Sequence, residues 1–176
     1  MGMRKDLEEK LFAIGPRWFG RDPKRSSMGR GFECGDGWFT LIEGLLLSIK
    51  SFGSASDPRW AKFVVKQVKE KFGKLTVYYD GGDDRLTGAI ELAEWLSLRM
   101  CEECGAPGRL CQNDRRVYKT ICPRCVVIDY ETGSRSDWHV AKSIDLRDLK
   151  TSRSRNQKAR SRALEPRRKR GKAKKS

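Results

Sequence analysis

Apolar residues first recur at helical spacing near the start of the chain. Leu7, Leu11, Phe12 and Ile14 form a partial stripe that predicts a helix over 3–14, stopped by Gly15-Pro16. Residues 15–36 lose the period and are rich in Gly, Arg and Ser, which predicts a loop anchored by Trp18, Phe19 and Phe32. From Asp36 or Gly37 the helical period returns. Trp38, Leu41, Ile42, Leu45, Leu46, Ile49 and Phe52 follow the i, i+3, i+4, i+7, i+8 rule, and Gly53, Ser54, Ser56, Asp57 and Pro58 end the element. The period then shortens. Phe63, Val64, Val65 and Val68 precede Phe72-Gly73-Lys74, and Leu75, Val77 and Tyr79 alternate after it. This predicts a β-hairpin turning near Gly73, with a helical turn over 66–72 before a single strand as the alternative. Gly81-Gly82 breaks the second strand. Asp83 or Asp84 then caps a helix running to about Met100, with Leu86, Ile90, Ala93 and Leu96 inward and Trp95 at one edge.

Beyond Met100 the pattern is set by cysteine. Cys101-Glu102-Glu103-Cys104 and Cys122-Pro123-Arg124-Cys125 are two C-x-x-C pairs separated by seventeen residues. Two residues between ligands let a tight turn aim both sulfurs at one ion, and the seventeen-residue interval is long enough for a hairpin that returns the second pair. Four thiolates predict one tetrahedral Zn2+ with no open position, a structural site. Two disulfides would need an oxidising compartment, and a redox C-x-x-C would normally stand alone. Gly105 is placed to relieve the backbone where the first pair ends. Cys111 is a competing ligand or a free thiol in the hairpin, Cys34 a small packing residue, and the lone His139 structural or solvated. After Cys125, Val126-Val127-Ile128 predict a strand. Residues 131–150 read as a polar linker, with Trp138, Ile144, Leu146 and Leu149 as docking points.

Composition changes the picture in one place. Residues 151–176 hold twelve Lys or Arg and one acid, a net of +11 out of +15 for the whole chain, so residues 1–150 carry only +4. The basic character therefore belongs to the tail. Its composition cannot bury enough apolar surface to offset ordering entropy, which predicts disorder in isolation. No apolar run approaches the roughly 18 residues of a membrane span, and no secretory or myristoylation signal opens the chain. The expectation is a cytoplasmic protein without a membrane partner. The predicted fold is α+β: a helix–hairpin–helix body at 1–100, a zinc ribbon at 101–130, a linker at 131–150 and the tail.

Several of these residues also occur in a familiar order. They are Gly37-Trp38-Phe39 with Leu41-Ile42, then Val68 to Leu75, then Tyr79 and Gly81 to Asp84, then Cys101 to Gly108, then Thr120-Ile121-Cys122. In this, residues 32–125 resemble a family of small uncharacterised bacterial and bacteriophage proteins ending in a zinc ribbon. The resemblance implies a layout and a bacterial or phage setting, and no activity. The long basic tail and Cys111 depart from that pattern.

The function predicted from these features is non-enzymatic binding of nucleic acid, DNA or RNA. Cations on a flexible chain neutralise phosphates and release counterions. The candidates in the tail are Arg153, Arg155, Lys158, Arg160, Arg162, Arg167, Arg168, Lys169, Arg170, Lys172, Lys174 and Lys175. The tail has no aromatic residue, so base stacking is not expected there. Arg109, Arg115, Arg116, Lys119 and Arg124, with Tyr118, lie between or beside the ligands and add a ribbon contribution, against the alternative of an ordinary solvated surface. The tail has its own alternatives: a solubilising segment, one bound to an acidic partner, or, in a eukaryotic host, a nuclear-localisation signal at 166–170. A second class of function is a protein-interaction module acting on a host protein, with Trp38, Trp60 or Trp95 near the contact. A third, weaker one is a metal-dependent nuclease drawing on Asp80, Asp83, Asp84, Glu91 and Glu94, although caps and a solvated helix face account for those acids.

Overall fold

In the computed structural model, residues 2–20, 26–53, 57–113, 115–126 and 138–141 are described, and the fold is α+β. The predicted tail and most of the predicted linker lie outside these residues. Helix α1 spans Lys5–Ile14, α2 Phe39–Phe52, the short α3 Pro58–Ala61 and α4 Asp84–Ser97. Strands β1 (Val64–Lys71) and β2 (Lys74–Asp80) form one antiparallel pair. Strands β3 (Arg109–Gln112), β4 (Tyr118–Ile121) and β5 (His139–Val140) form a second sheet in the order β4-β3-β5. No helix among the described residues is long and apolar enough to cross a membrane.

The main core is built from the stripes seen in the sequence. Leu11 and Phe12 of α1, Ile42, Leu45, Leu46 and Ile49 of α2, and Leu86, Ile90 and Ala93 of α4 are buried together with Leu75, Val77 and Tyr79 of β2. Leu41 and Phe52 pack at its margin. Trp38 is fully buried in a 3-10 turn ahead of α2, and its indole N–H donates to the Met100 carbonyl at 2.9 Å. On β1 the inward residues are Val65 and Val68, three apart, because a register shift between Val65 and Gln67 inserts an extra residue. The loop over 15–36 is more than an anchor. It pairs in parallel with β1 at Phe19 and Glu33, so the edge of β1 away from β2 is covered.

The other edge is closed by side chains, and here the structure corrects the sequence. Leu96, predicted inward, is exposed, while Glu94, predicted to be solvated, and Ser97 are buried. The free edge of β2 directs N–H groups at α4. Glu94 Oε1 accepts the Val77 N–H at 3.1 Å, and Ser97 Oγ accepts the Leu75 N–H at 2.9 Å. Glu94 Oε2 holds the buried Lys74 ammonium at 2.8 Å. An unpaired buried N–H is costly, so polar residues of α4 are drawn inward at this edge.

The β1–β2 hairpin turns through Phe72 and Gly73, with φ of 54° and 74°. Positive φ at both central residues is what a two-residue type I′ loop needs. A Cβ on Gly73 would stand 2.1 Å from Leu110 Cδ1 and 3.3 Å from the Lys119 backbone. Gly73→Ala is therefore expected to destabilise the protein by about 1–2 kcal/mol, from the left-handed backbone alone. Urea unfolding measures it, and an unchanged midpoint would mean that the turn is unstrained.

Candidate metal centre

The centre rests on two turns carried by the second sheet. The first pair sits in a turn after α4, where the Gly105 N–H donates to the Cys101 carbonyl at 2.9 Å and Gly105 takes φ 76°. That left-handed conformation is where glycine relieves the chain. A short bridge between Met100 and Pro107 closes the turn. The second pair follows β4, and residues 123–126 are helical, so Val126 does not extend a strand as predicted. Residues 127 and 128 lie outside the described residues. The β3–β4 hairpin brings the two turns together: Arg109 pairs with Ile121, next to Cys122, and Gly108 donates to the Arg99 carbonyl, next to the first turn.

The result is a cluster of four sulfurs from Cys101, Cys104, Cys122 and Cys125, all within 4.8 Å of one another. Cys104 Sγ and Cys122 Sγ are 3.6 Å apart. A tetrahedral ion with metal–sulfur bonds of about 2.3 Å spaces its sulfurs about 3.8 Å apart, so the cluster fits one such ion. Four thiolates are the full ligand set of a structural tetrahedral site. Burial raises the Cys101 and Cys125 thiols above their ordinary range. Burial also acts on Cys122, but the Cys125 backbone N–H and the neighbouring thiols outweigh it and bring that thiol down to about 7. A divalent cation bound among them favours the thiolate form of its ligands.

Around the cluster, Cys101, Cys111, Ile121 and Cys122 form a second small core, with Ala106, Val126 and Trp138 packed on it. Cys111 is buried on β3 and is not one of the four clustered ligands. Cys34 lies in the main core, as a packing residue would. His139 is exposed on β5. Residues 139–140, predicted as linker, are a strand paired with β3. Trp138 alone carried the sequence signal for this.

The ribbon is fastened to the body at several points. The Gly37 N–H donates to the Glu102 carbonyl at 2.8 Å, and the Gly35 N–H to Glu102 Oε1 at 2.9 Å. Thr120, fully buried, donates its hydroxyl to the Gly73 carbonyl at 2.6 Å. Gly37 lies against the metal turn so closely that a Cβ there would meet the Cys101 carbonyl oxygen at 2.2 Å.

No protein-family model, curated protein or solved structure matches this chain.

The cations predicted for the ribbon divide into two groups. Arg109, Arg115, Arg116 and Arg124 are exposed. Lys119 is half-buried and pairs with Glu103. Arg153 to Lys175 lie outside the described residues. Several of the acids proposed for a nuclease have partners of their own, and Asp80 pairs with Lys66 at 3.2 Å. Asp83 caps α4, with Oδ1 accepting the Leu86 N–H and Oδ2 bound to Arg85, and Glu94 is committed to Lys74. Among the described residues, the four cysteines are the one group of three or more potential ligands close enough to share an ion.

Proposed function

We propose that this is a non-enzymatic zinc protein that binds nucleic acid, in which the ion shapes the ribbon and the basic tail supplies most of the affinity. The observation that carries this reading is the pairing of a closed four-cysteine cluster with exposed arginines at 109, 115, 116 and 124 on the elements it organises. Zinc suits the donor set, since four soft thiolates in a tetrahedron favour it over the harder divalent cations. The tail adds a net charge of +11 in 26 residues. Phosphate contacts of this kind give affinity without sequence information, so the ribbon is where any selectivity would reside. A bacterial or phage-infected cytoplasm fits the resemblance of residues 32–125.

A second reading, docking to a host protein, draws on α4. Leu92, Trp95 and Leu96 are exposed by 60%, 42% and 47% and share one helix face at i, i+3 and i+4 spacing. Trp38 and Trp60, named with Trp95 as contact candidates, are both buried and belong to the core.

Fluorescence anisotropy of labelled DNA and RNA at several salt concentrations separates the two. The zinc-loaded full chain is compared with one ending at Lys150. If six cations engage duplex DNA, log K falls with log salt at a slope of about −5, and most affinity is lost with the tail. Binding that survives truncation moves the site to the ribbon. No binding by the full chain overturns the nucleic-acid reading and leaves the α4 face as the place to look for a partner.

A further inference from the structure

A cavity of about 630 Å³ opens where the body meets the ribbon. That is the size range of sites for small organic ligands. The chain as a whole is strongly basic, yet five carboxylates line this cavity against three basic side chains. The bases are already committed. Arg4 pairs with Asp36 at 2.7 Å, Arg30 with Glu33 at 3.0 Å, and Lys119 with Glu103. Glu70 and Glu102 remain, with no ion pair of their own among the described residues.

These two acids come from distant parts of the chain. Glu70 stands near the end of β1 and accepts the Gly73 N–H. Glu102 lies between the first two cysteines and is only 5% exposed. Its Oε1 accepts the Gly35 N–H at 2.9 Å, but its Oε2 is buried with no hydrogen-bond partner among the described residues. Leaving such an oxygen unsatisfied costs about 1–3 kcal/mol, so a donor brought to it would be stabilising. Burial raises the Glu70 carboxyl above its ordinary range, and it also feels the nearby Lys119 ammonium. Tyr118 and Trp138, both half-buried, add aromatic surface to the same wall. Paired carboxylates beside aromatic faces are the natural receptor for a planar, multiply donating cation.

We propose that this cavity binds a guanidinium-bearing ligand, held by Glu70 and Glu102 and flanked by Tyr118 and Trp138. The site has the opposite charge to a phosphate site and stands independently of the nucleic-acid reading. The guanidinium can belong to a free small molecule or to an arginine side chain of a peptide, and the two are separable by experiment.

The zinc-loaded full-length chain is titrated with L-argininamide and, separately, with a capped Gly-Arg-Gly peptide. Chemical-shift changes report binding. L-citrullinamide, nearly isosteric but uncharged, is the control. Saturable shifts are expected around Glu70, Glu102 and Trp138, with citrullinamide inactive. Tighter binding of the free amide identifies a small-molecule site, and tighter binding of the peptide identifies a side-chain site. Glu102→Gln and Glu70→Gln should each weaken binding roughly tenfold, as expected for loss of a charged hydrogen-bond acceptor. Both variants should keep one zinc per chain. Glu70 lies outside the cysteine turns, so its variant guards against an indirect effect on the metal. No saturable change with either probe, equal binding of citrullinamide, or full affinity in both variants would overturn the proposal.

Discussion

Cys122→Ser is expected to yield a chain that holds no zinc and whose ribbon no longer folds, while the helical body persists. The ribbon core has only a few buried apolar residues, Cys101, Cys111, Ile121 and Cys122, and its three strands have four, four and two residues. So small a core cannot offset the ordering entropy of the segment. A four-thiolate zinc site contributes on the order of 10 kcal/mol to folding, which is more than the ribbon can supply otherwise. The body has its own core, built from four helices and a hairpin, so most of the helical circular dichroism should survive. Hydrogen exchange would show protection lost over 101–126 and kept in α2 and α4. Cys111→Ser and Cys34→Ser are the controls, since neither sulfur belongs to the cluster. Metal analysis should give one zinc per chain for both and none for Cys122→Ser. Retention of a full equivalent by Cys122→Ser, or its loss in Cys111→Ser, would show that the four ligands are not those named.

Removing the carboxylate of Glu94 should have the largest effect within the body. The Lys74 and Glu94 side chains are 4% and 0% exposed, and the same carboxylate accepts the Val77 N–H. In Glu94→Ala a buried ammonium loses its partner and the edge of β2 loses an acceptor. Breaking a buried pair from one side typically costs about 3–5 kcal/mol, because the remaining charge stays desolvated. Replacing both partners with apolar residues, Lys74→Met with Glu94→Leu, removes the stranded charge and should recover most of that loss, leaving the unpaired Val77 N–H as the residual cost. Urea denaturation of the two variants decides the matter. If the double variant is as unstable as the single one, the capped strand edge, and not the ion pair, is the dominant contribution.

Both outcomes bear on function through rigidity. The metal turn is bonded to the loop before α2 through Glu102, and the ribbon hairpin to the Gly73 turn through Thr120. The cavity at this junction is thus walled by both parts, and either variant that loosens one part should degrade it. The exposed arginines of the ribbon depend on the same fastening for their placement.

The sequence by itself determined the elements whose signals are local. The α2 stripe, the Gly73 turn, the Asp83 cap and the two C-x-x-C turns each depend on residues within a few positions of one another, and each appears where spacing or turn chemistry put it. The net charge of the tail is likewise a matter of counting. What only the tertiary structure decided involves partners far apart along the chain. Glu94 reads as one more solvated helix acid until the free edge of β2 is laid beside it. His139 and Val140 read as linker until β3 offers an unpaired edge. Glu70 and Glu102 carry no joint signal, because 31 positions of chain separate them and only the docking of ribbon on body makes them neighbours. The physical reason is the same in each case. Local propensity is set by a residue's own backbone and its near neighbours, whereas the cost of burying a polar group depends on which partners the fold brings to it.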